Sequence, residues 1–230
     1  RTSEEGTDGK DVEGGAVVVM DTKTGRVLAC ASYPTYDPST YFEQYNELLE
    51  MDFDPLFNRA LQAQYPPGST YKMSMTIAGI ESAAIRRYTS IYDAGVFTKY
   101  KGFTAKCLRY SDSGRTHGDI DCTDALKYSC NYFFYELADR LTIEAIDKTA
   151  KSLGLGEPTG VELFERLGHR ANPETKAALH TGDDARWYTG DRILTGIGQS
   201  ENRFTPMQLC SYLTTIVNSG TRYKATFLNR

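Results

Sequence analysis

At 230 residues, 40% hydrophobic and 24% charged, the chain is long enough to bury one sizeable core. A formal net charge of −4 with scattered Lys and Arg excludes a nucleic-acid surface and a basic lipid-binding patch. No apolar run approaches the ~18 residues that a membrane span needs.

The first ten residues are polar, lack an initiator methionine and read as a linker remnant, with the folded domain over 11–230. GGAVVVMDTKTGRVLACASYP predicts a hairpin, with strands at Gly15–Asp21 and Arg26–Tyr33 around a turn at Thr22–Gly25. A short helix is expected within Tyr41–Leu49. Another should begin at Ser69, after Pro66-Pro67-Gly68, with Met73, Ile77, Ile80 and Ala84 as its buried stripe. TDALKYSCNYFFYELADRL predicts a helix capped by Thr123, its apolar face carrying Leu126, Cys130, Phe133 or Phe134, Leu137 and Leu141. The next helix is capped by Thr142 and stopped by Gly154. Residues 155–190 read as loop. A last helix takes Thr205 as cap and Pro206 as its first residue, and ends before Gly220. Beyond the hairpin the reading is helices and loops, too few strands to complete a sheet.

No His, Cys and carboxylate cluster stands at metal-ligand spacing and no glycine-rich loop suggests a nucleotide, so neither metal nor other cofactor is expected. Cys107 and Cys122, two of five cysteines, flank a polar loop. Two readings stay open for them: a disulfide, which needs an oxidising compartment, or free and buried thiols.

QYPPGSTYKMS places Lys72 three residues after Ser69, over the same helical face. Ser69 is then either a helix cap or a nucleophile with lysine as its base, a known substitute for the Ser-His-Asp arrangement. Burial among Met73, Met75 and Ile77 would lower the lysine pKa enough for that work. A second element, YSCN, offers Ser129 and Asn131. On an ideal helix these diverge by about 200°. A joint role therefore requires a break near Lys127–Cys130; otherwise the pair is a polar notch on a core helix.

Together, S-T-Y-K at 69–72 and S-C-N at 129–131 resemble the penicillin-binding transpeptidases, whose superfamily carries S-x-x-K, S-x-N or S-D-N, and K-T-G. The hairpin segment, NRALQAQYPPGSTYK, CNYFFYELADRLTIEAIDKTAKSLGLGEPTGVEL and TGIGQSENRFTPMQL resemble successive stretches of the class B, penicillin-binding-protein-2-like group, in family order. The resemblance implies an α+β fold of the transpeptidase/β-lactamase type. The mostly helical part and first hairpin would be present. The catalytic K-T-G, further strands and a closing helix would follow residue 230, making 11–230 the N-terminal two-thirds of the domain. Lys23-Thr24-Gly25 precedes Ser69 and reads as the hairpin turn, not as that motif. Ser200 stands where the family commonly has Gly, and GVELFERLGHR departs from the family's acidic, glycine-rich pattern.

The resemblance further implies acyl transfer without a cofactor in the intact protein, this fragment alone being expected to be inactive. Ser69 would attack a peptidoglycan stem peptide, Lys72 would take its proton, Ser129 would relay a proton, and Asn131 would hold Lys72 and the substrate amide. Tyr71 and Tyr128 are candidate cleft walls, with plain packing the alternative. His117 is a candidate rim residue, with a structural loop histidine the alternative. The implied partners are stem peptides, β-lactams, a glycosyltransferase and other elongation or division proteins. The intact protein would be membrane-anchored with its catalytic domain outside the cytoplasm. A β-lactamase or β-lactam sensor domain, and a non-catalytic structural fragment of a cell-wall complex, are the rival readings.

Overall fold

The computed structural model describes residues 12–228, so the expected linker at 1–10 lies outside the described residues. The first strands are β1 (Gly15–Met20) and β2 (Val27–Tyr33), followed by helices α1 (Tyr41–Glu50) and α2 (Arg59–Gln62). A 3-10 turn, Gly68–Tyr71, leads into α3 (Lys72–Glu81). Next come β3 (Ile91–Asp93), β4 (Val96–Phe97), β5 (Ala105–Lys106), α4 (Leu108–Ser113) and β6 (Gly118–Ile120). The rest is helical: α5 (Cys122–Lys127), α6 (Asn131–Arg140), α7 (Ile143–Ser152), α8 (Pro173–Leu179), α9 (Thr189–Thr195) and α10 (Pro206–Val217). The chain divides into two units, one of residues 1–64, 158–167 and 205–230, the other of 65–157 and 168–204.

In the first unit, β1 and β2 form the expected antiparallel hairpin, with Val18 opposite Cys30 and a bulge between Val19 and Met20. Its turn is closed by the Gly25 N–H on the Asp21 carbonyl at 2.9 Å, with Gly25 at φ +75°. That left-handed backbone suits glycine and explains the Thr-Gly turn chemistry. One face, with Val18, Met20, Val27 and Cys30, packs on Leu61 of α2, Met207 of α10 and Ala225. The Val27 N–H donates to the Thr226 carbonyl at 2.8 Å, so the chain after α10 returns beside the start of β2. The expected cap of α10 is present, the Thr205 hydroxyl accepting from the Gln208 N–H at 3.2 Å.

The second unit packs α3 against α6 and α7, and α6 against α9. Its core includes Met75, Phe133, Phe134, Leu137, Ile146 and Ile193. Four expectations are corrected here. The long helix from Thr123 is two helices: Asp121 caps α5, accepting from the Thr123 and Asp124 N–H groups, and Cys130 caps α6. Aspartate accepts these N–H bonds better than the threonine after it, and adds a negative charge at the helix start. The buried residues of α3 are Lys72, Ser74, Met75, Thr76, Ala78 and Gly79, whereas Ile80 is 49% exposed. The predicted stripe is thus rotated, because Ser129 before α6 and Asn131 at its start give an inward-turned Lys72 polar partners. The span 155–190 is not all loop: Asn172 caps α8, accepting from the Thr175 N–H at 2.7 Å, with Pro173 at its first position. Two small antiparallel pairs, β3–β6 and β4–β5, add strands too short to leave a periodic trace.

Candidate active site

Every group described here lies in the second unit. Pro66 and Pro67 stiffen the approach, and Gly68, at φ +56°, turns it. The Gly68 N–H donates to the Gly198 carbonyl at 3.1 Å. Gly198 is itself at φ +70°, and a Cβ there would lie 2.2 Å from the Gly68 carbonyl oxygen. The two backbones touch where only glycine fits, and this contact fixes the turn carrying Ser69. Ser69 does not cap a helix with its side chain. It sits exposed in the 3-10 turn, one turn before buried Lys72.

The break between α5 and α6 falls where a joint role for Ser129 and Asn131 requires it. Ser129 is at φ +53°, a left-handed conformation uncommon outside glycine. It swings both side chains onto Lys72. The Lys72 ammonium donates to the Ser129 carbonyl at 2.9 Å, the Ser129 hydroxyl at 3.0 Å and the Asn131 Oδ1 at 2.6 Å. The Phe134 ring lies 5.4 Å from Nζ. The Ser129 hydroxyl in turn meets the Ser69 hydroxyl at 2.9 Å. Burial lowers the Lys72 pKa from 10.5 to about 8, the nearby Cys130 and Cys107 thiols opposing the shift. Near neutral pH a useful fraction of this amine is uncharged and able to accept a proton. Its hydrogen-bonded path to Ser69 runs through Ser129.

The remaining expected residues fall differently. Tyr71 is 1% exposed and its ring stacks on Phe204, with centroids 6.3 Å apart, so it packs the core and does not wall a cleft. Tyr128 is half exposed and lines an open cavity beside Ser129. His117 borders the same cavity, but its ring is held by Asp93 at 2.7 Å and faces Tyr128.

The family described as Penicillin binding protein transpeptidase domain matches residues 15–230. The chain belongs to this family. The peptidoglycan D,D-transpeptidase MrdA of Haemophilus influenzae is 35% identical over 212 residues, a match covering 90% of this chain and 32% of that protein. MrdA of Escherichia coli K12 is 34% identical over 211 residues, covering 89% and 32%. Among solved structures, penicillin-binding protein 2 (PBP2) of Helicobacter pylori in complex with MreC superposes with a TM-score of 0.83. It is 28% identical and covers 92% of this chain and 39% of that one. The likeness is therefore to the PBP2-like class B group, and the α+β fold is the one that resemblance implied. The chain spans about a third of the length of these curated relatives.

Within this transpeptidase domain the structure also assembles a cluster that sequence spacing did not reveal. Asp93, Cys107, His117 and Cys130 bring one ligand atom each within 4.8 Å of one another. They come from the end of β3, the residue before α4, the loop before β6 and the cap of α6. The β3–β6 pairing and the α5–α6 break draw together residues 10 to 14 apart in sequence, too far for a C-x-x-C-type signature. The expectation that the chain holds no such cluster is corrected. A carboxylate, an imidazole and two sulfurs are the donor types that hold a zinc ion tetrahedrally. The Cys130 S–H and the backbone N–H groups of Tyr132 and Asn131 hold the Cys107 thiol below its ordinary value, while Cys130 lies above it. Asp93 is anchored in turn by the N–H groups of Gly95 at 2.7 Å and His117 at 3.0 Å. Cys107 and Cys122 are both free thiols.

Proposed function

We propose that the intact protein is a serine-type peptidoglycan D,D-transpeptidase whose acyl group is carried on Ser69. The carrying observation is the hydrogen-bonded line from Lys72 through Ser129 to Ser69, at 3.0 and 2.9 Å, built on the two family motifs. In acylation, Ser129 passes its proton to uncharged Lys72 as it takes the proton of Ser69. The Ser69 Oγ bonds to the carbonyl carbon of the penultimate D-Ala. The Gly68 N–H is spent on Gly198, so the Ser69 backbone N–H, in the first turn of this 3-10 helix, is the group offered to the developing oxyanion. The bond to the terminal D-Ala nitrogen breaks, and that nitrogen receives the proton back from Lys72 through Ser129. An amine from a second stem then resolves the ester. The Asn131 Oδ1 holds Lys72, and its NH₂, which also meets the Tyr135 hydroxyl, has a second hydrogen for a substrate carbonyl. A β-lactam follows the same first step, but its leaving nitrogen stays tethered and the ester persists.

The names of the relatives support this reading over a β-lactamase. Because Helicobacter pylori PBP2 is seen in complex with MreC, we place the intact protein in a membrane-anchored cell-wall assembly. Among the described residues no helix is long and apolar enough to cross a membrane. The test is labelling of the intact protein with fluorescent penicillin. We expect label on the Ser69 peptide and none in Ser69→Ala. Rapid loss of label would favour a β-lactamase, and no label with Ser69 intact would favour a non-catalytic fragment.

A further inference from the structure

Beside the residues that hold Lys72 lies a pair of thiols that acyl transfer does not use. The Cys107 and Cys130 sulfurs stand 4.0 Å apart. Both residues are buried, at 1% and 0% exposure. The Asp93 carboxylate lies 3.5 Å from the Cys130 sulfur, and the His117 Nδ1 lies 3.8 Å from that of Cys107. Cys107 directly precedes Leu108 and Arg109, which with His117 and Ser129 wall an open cavity of about 390 Å³. A small solute therefore approaches the pair from the Cys107 side, whereas a protein oxidant is too large to reach it. Cys130 stands between Ser129 and Asn131, and its sulfur caps α6 by accepting from the Phe133 N–H at 3.5 Å. A displacement of that sulfur is felt by both residues that hold Lys72.

We propose that Cys107 and Cys130 form a reversible disulfide on exposure to hydrogen peroxide, and that this bond switches acylation of Ser69 off. The inference rests on the transpeptidase reading and adds a regulatory modification to that site. The Cys107 sulfur bonds to one peroxide oxygen, the O–O bond breaks, and the other oxygen leaves as water with the thiol proton. A sulfenic acid remains on Cys107. The Cys130 sulfur then bonds to the Cys107 sulfur, the S–O bond breaks, and the hydroxyl leaves as a second water with the Cys130 proton. Two thiols lose two electrons in all, and the peroxide is reduced to two waters. The sulfur gap closes from 4.0 Å to about 2.0 Å. Cys130 is drawn toward Cys107, α6 loses its cap, and Ser129 and Asn131 are pulled off Lys72.

The test treats the intact protein with hydrogen peroxide, with and without EDTA, because a cation on these donors would occupy both sulfurs. Remaining thiols are blocked with N-ethylmaleimide, and mass spectrometry of the digest seeks a peptide pair linked through Cys107 and Cys130. The initial rate of fluorescent penicillin labelling is read before oxidation, after it, and after dithiothreitol. We expect the linked pair, a rate lowered at least about tenfold, the scale of one lost charge-assisted hydrogen bond, and recovery with dithiothreitol. Each variant is compared with its own reduced form, so a lower starting rate does not move the ratio. Cys107→Ser should keep its rate through the treatment, and Cys122→Ser should respond as wild type does. No linked pair in either buffer, a linked pair without loss of rate, or an equal loss in Cys107→Ser overturns the inference. Reduced wild type that takes no label overturns the transpeptidase reading and the switch with it, whereas labelled protein that ignores peroxide overturns the switch alone.

Discussion

Lys72 is 1% exposed, yet three oxygens surround its amine. Burial favours the neutral form, so the acylation rate should climb as pH rises through about 8 and level off above it. Stopped-flow acylation by a β-lactam from pH 6 to 10 measures this, and a flat profile would remove Lys72 as base. The same shift has a sign for stability. The unfolded chain keeps the lysine proton up to its ordinary 10.5 while the folded chain releases it near 8. The Lys72 contribution to stability therefore increases as pH rises between those values. Lys72→Met should fold, because it removes a buried charge, and should lose acylation by at least about a hundredfold, the scale of general-base catalysis. Ser200 makes a separate point. It sits at φ +59° with its buried hydroxyl unpartnered among the described residues. Ser200→Gly should raise stability by about 1 kcal/mol, seen as a higher midpoint in thermal unfolding.

At the scale of elements, the reactive centre depends on two junctions. The first is the Gly68–Gly198 contact. Gly198→Ala would press a methyl on the Gly68 carbonyl, costing about 2–3 kcal/mol and displacing Ser69. Penicillin labelling should fall far more than thermal stability predicts, since displacement acts directly on the nucleophile. The second junction is the α5–α6 break, whose cap residue Cys130 belongs to the buried cluster. If the cluster holds zinc, a chelator should lower the unfolding midpoint, and elemental analysis should find less than one zinc per chain after Cys107→Ala. These junctions also mark what the sequence could convey. The β1–β2 turn, the Thr142 cap and the Thr205-Pro206 start were readable because turn and cap chemistry is local. The need for a break between Ser129 and Asn131 followed from helix geometry. The burial of Lys72 was read from its apolar neighbours, but the rotation of the α3 stripe was not, because it depends on partners 57 and 59 residues away. The Asp93 cluster left no local trace for the same reason, as its ligands meet only after two short strands pair. Asn172-Pro173 was a readable helix start that the surrounding glycines obscured.

Over the whole molecule, apolar surface is distributed unevenly. In the first unit Val17, Val19 and Leu28 of the hairpin are 60%, 45% and 60% exposed, opposite the face already packed on α2 and α10. A hairpin apolar on both sides needs cover. The 230-residue polypeptide by itself should bind the dye ANS and self-associate as its concentration rises; a dye-silent monomer in light scattering would contradict this. The second unit holds a different kind of excess. Ser129 occupies a backbone region that costs a non-glycine residue about 1–2 kcal/mol, and glycine would relieve it. A protein shaped for endurance alone would carry glycine there. The hydroxyl at that position thus sets durability against reactivity, and a single substitution can separate them: Ser129→Gly should melt at a higher temperature and take up penicillin hardly at all.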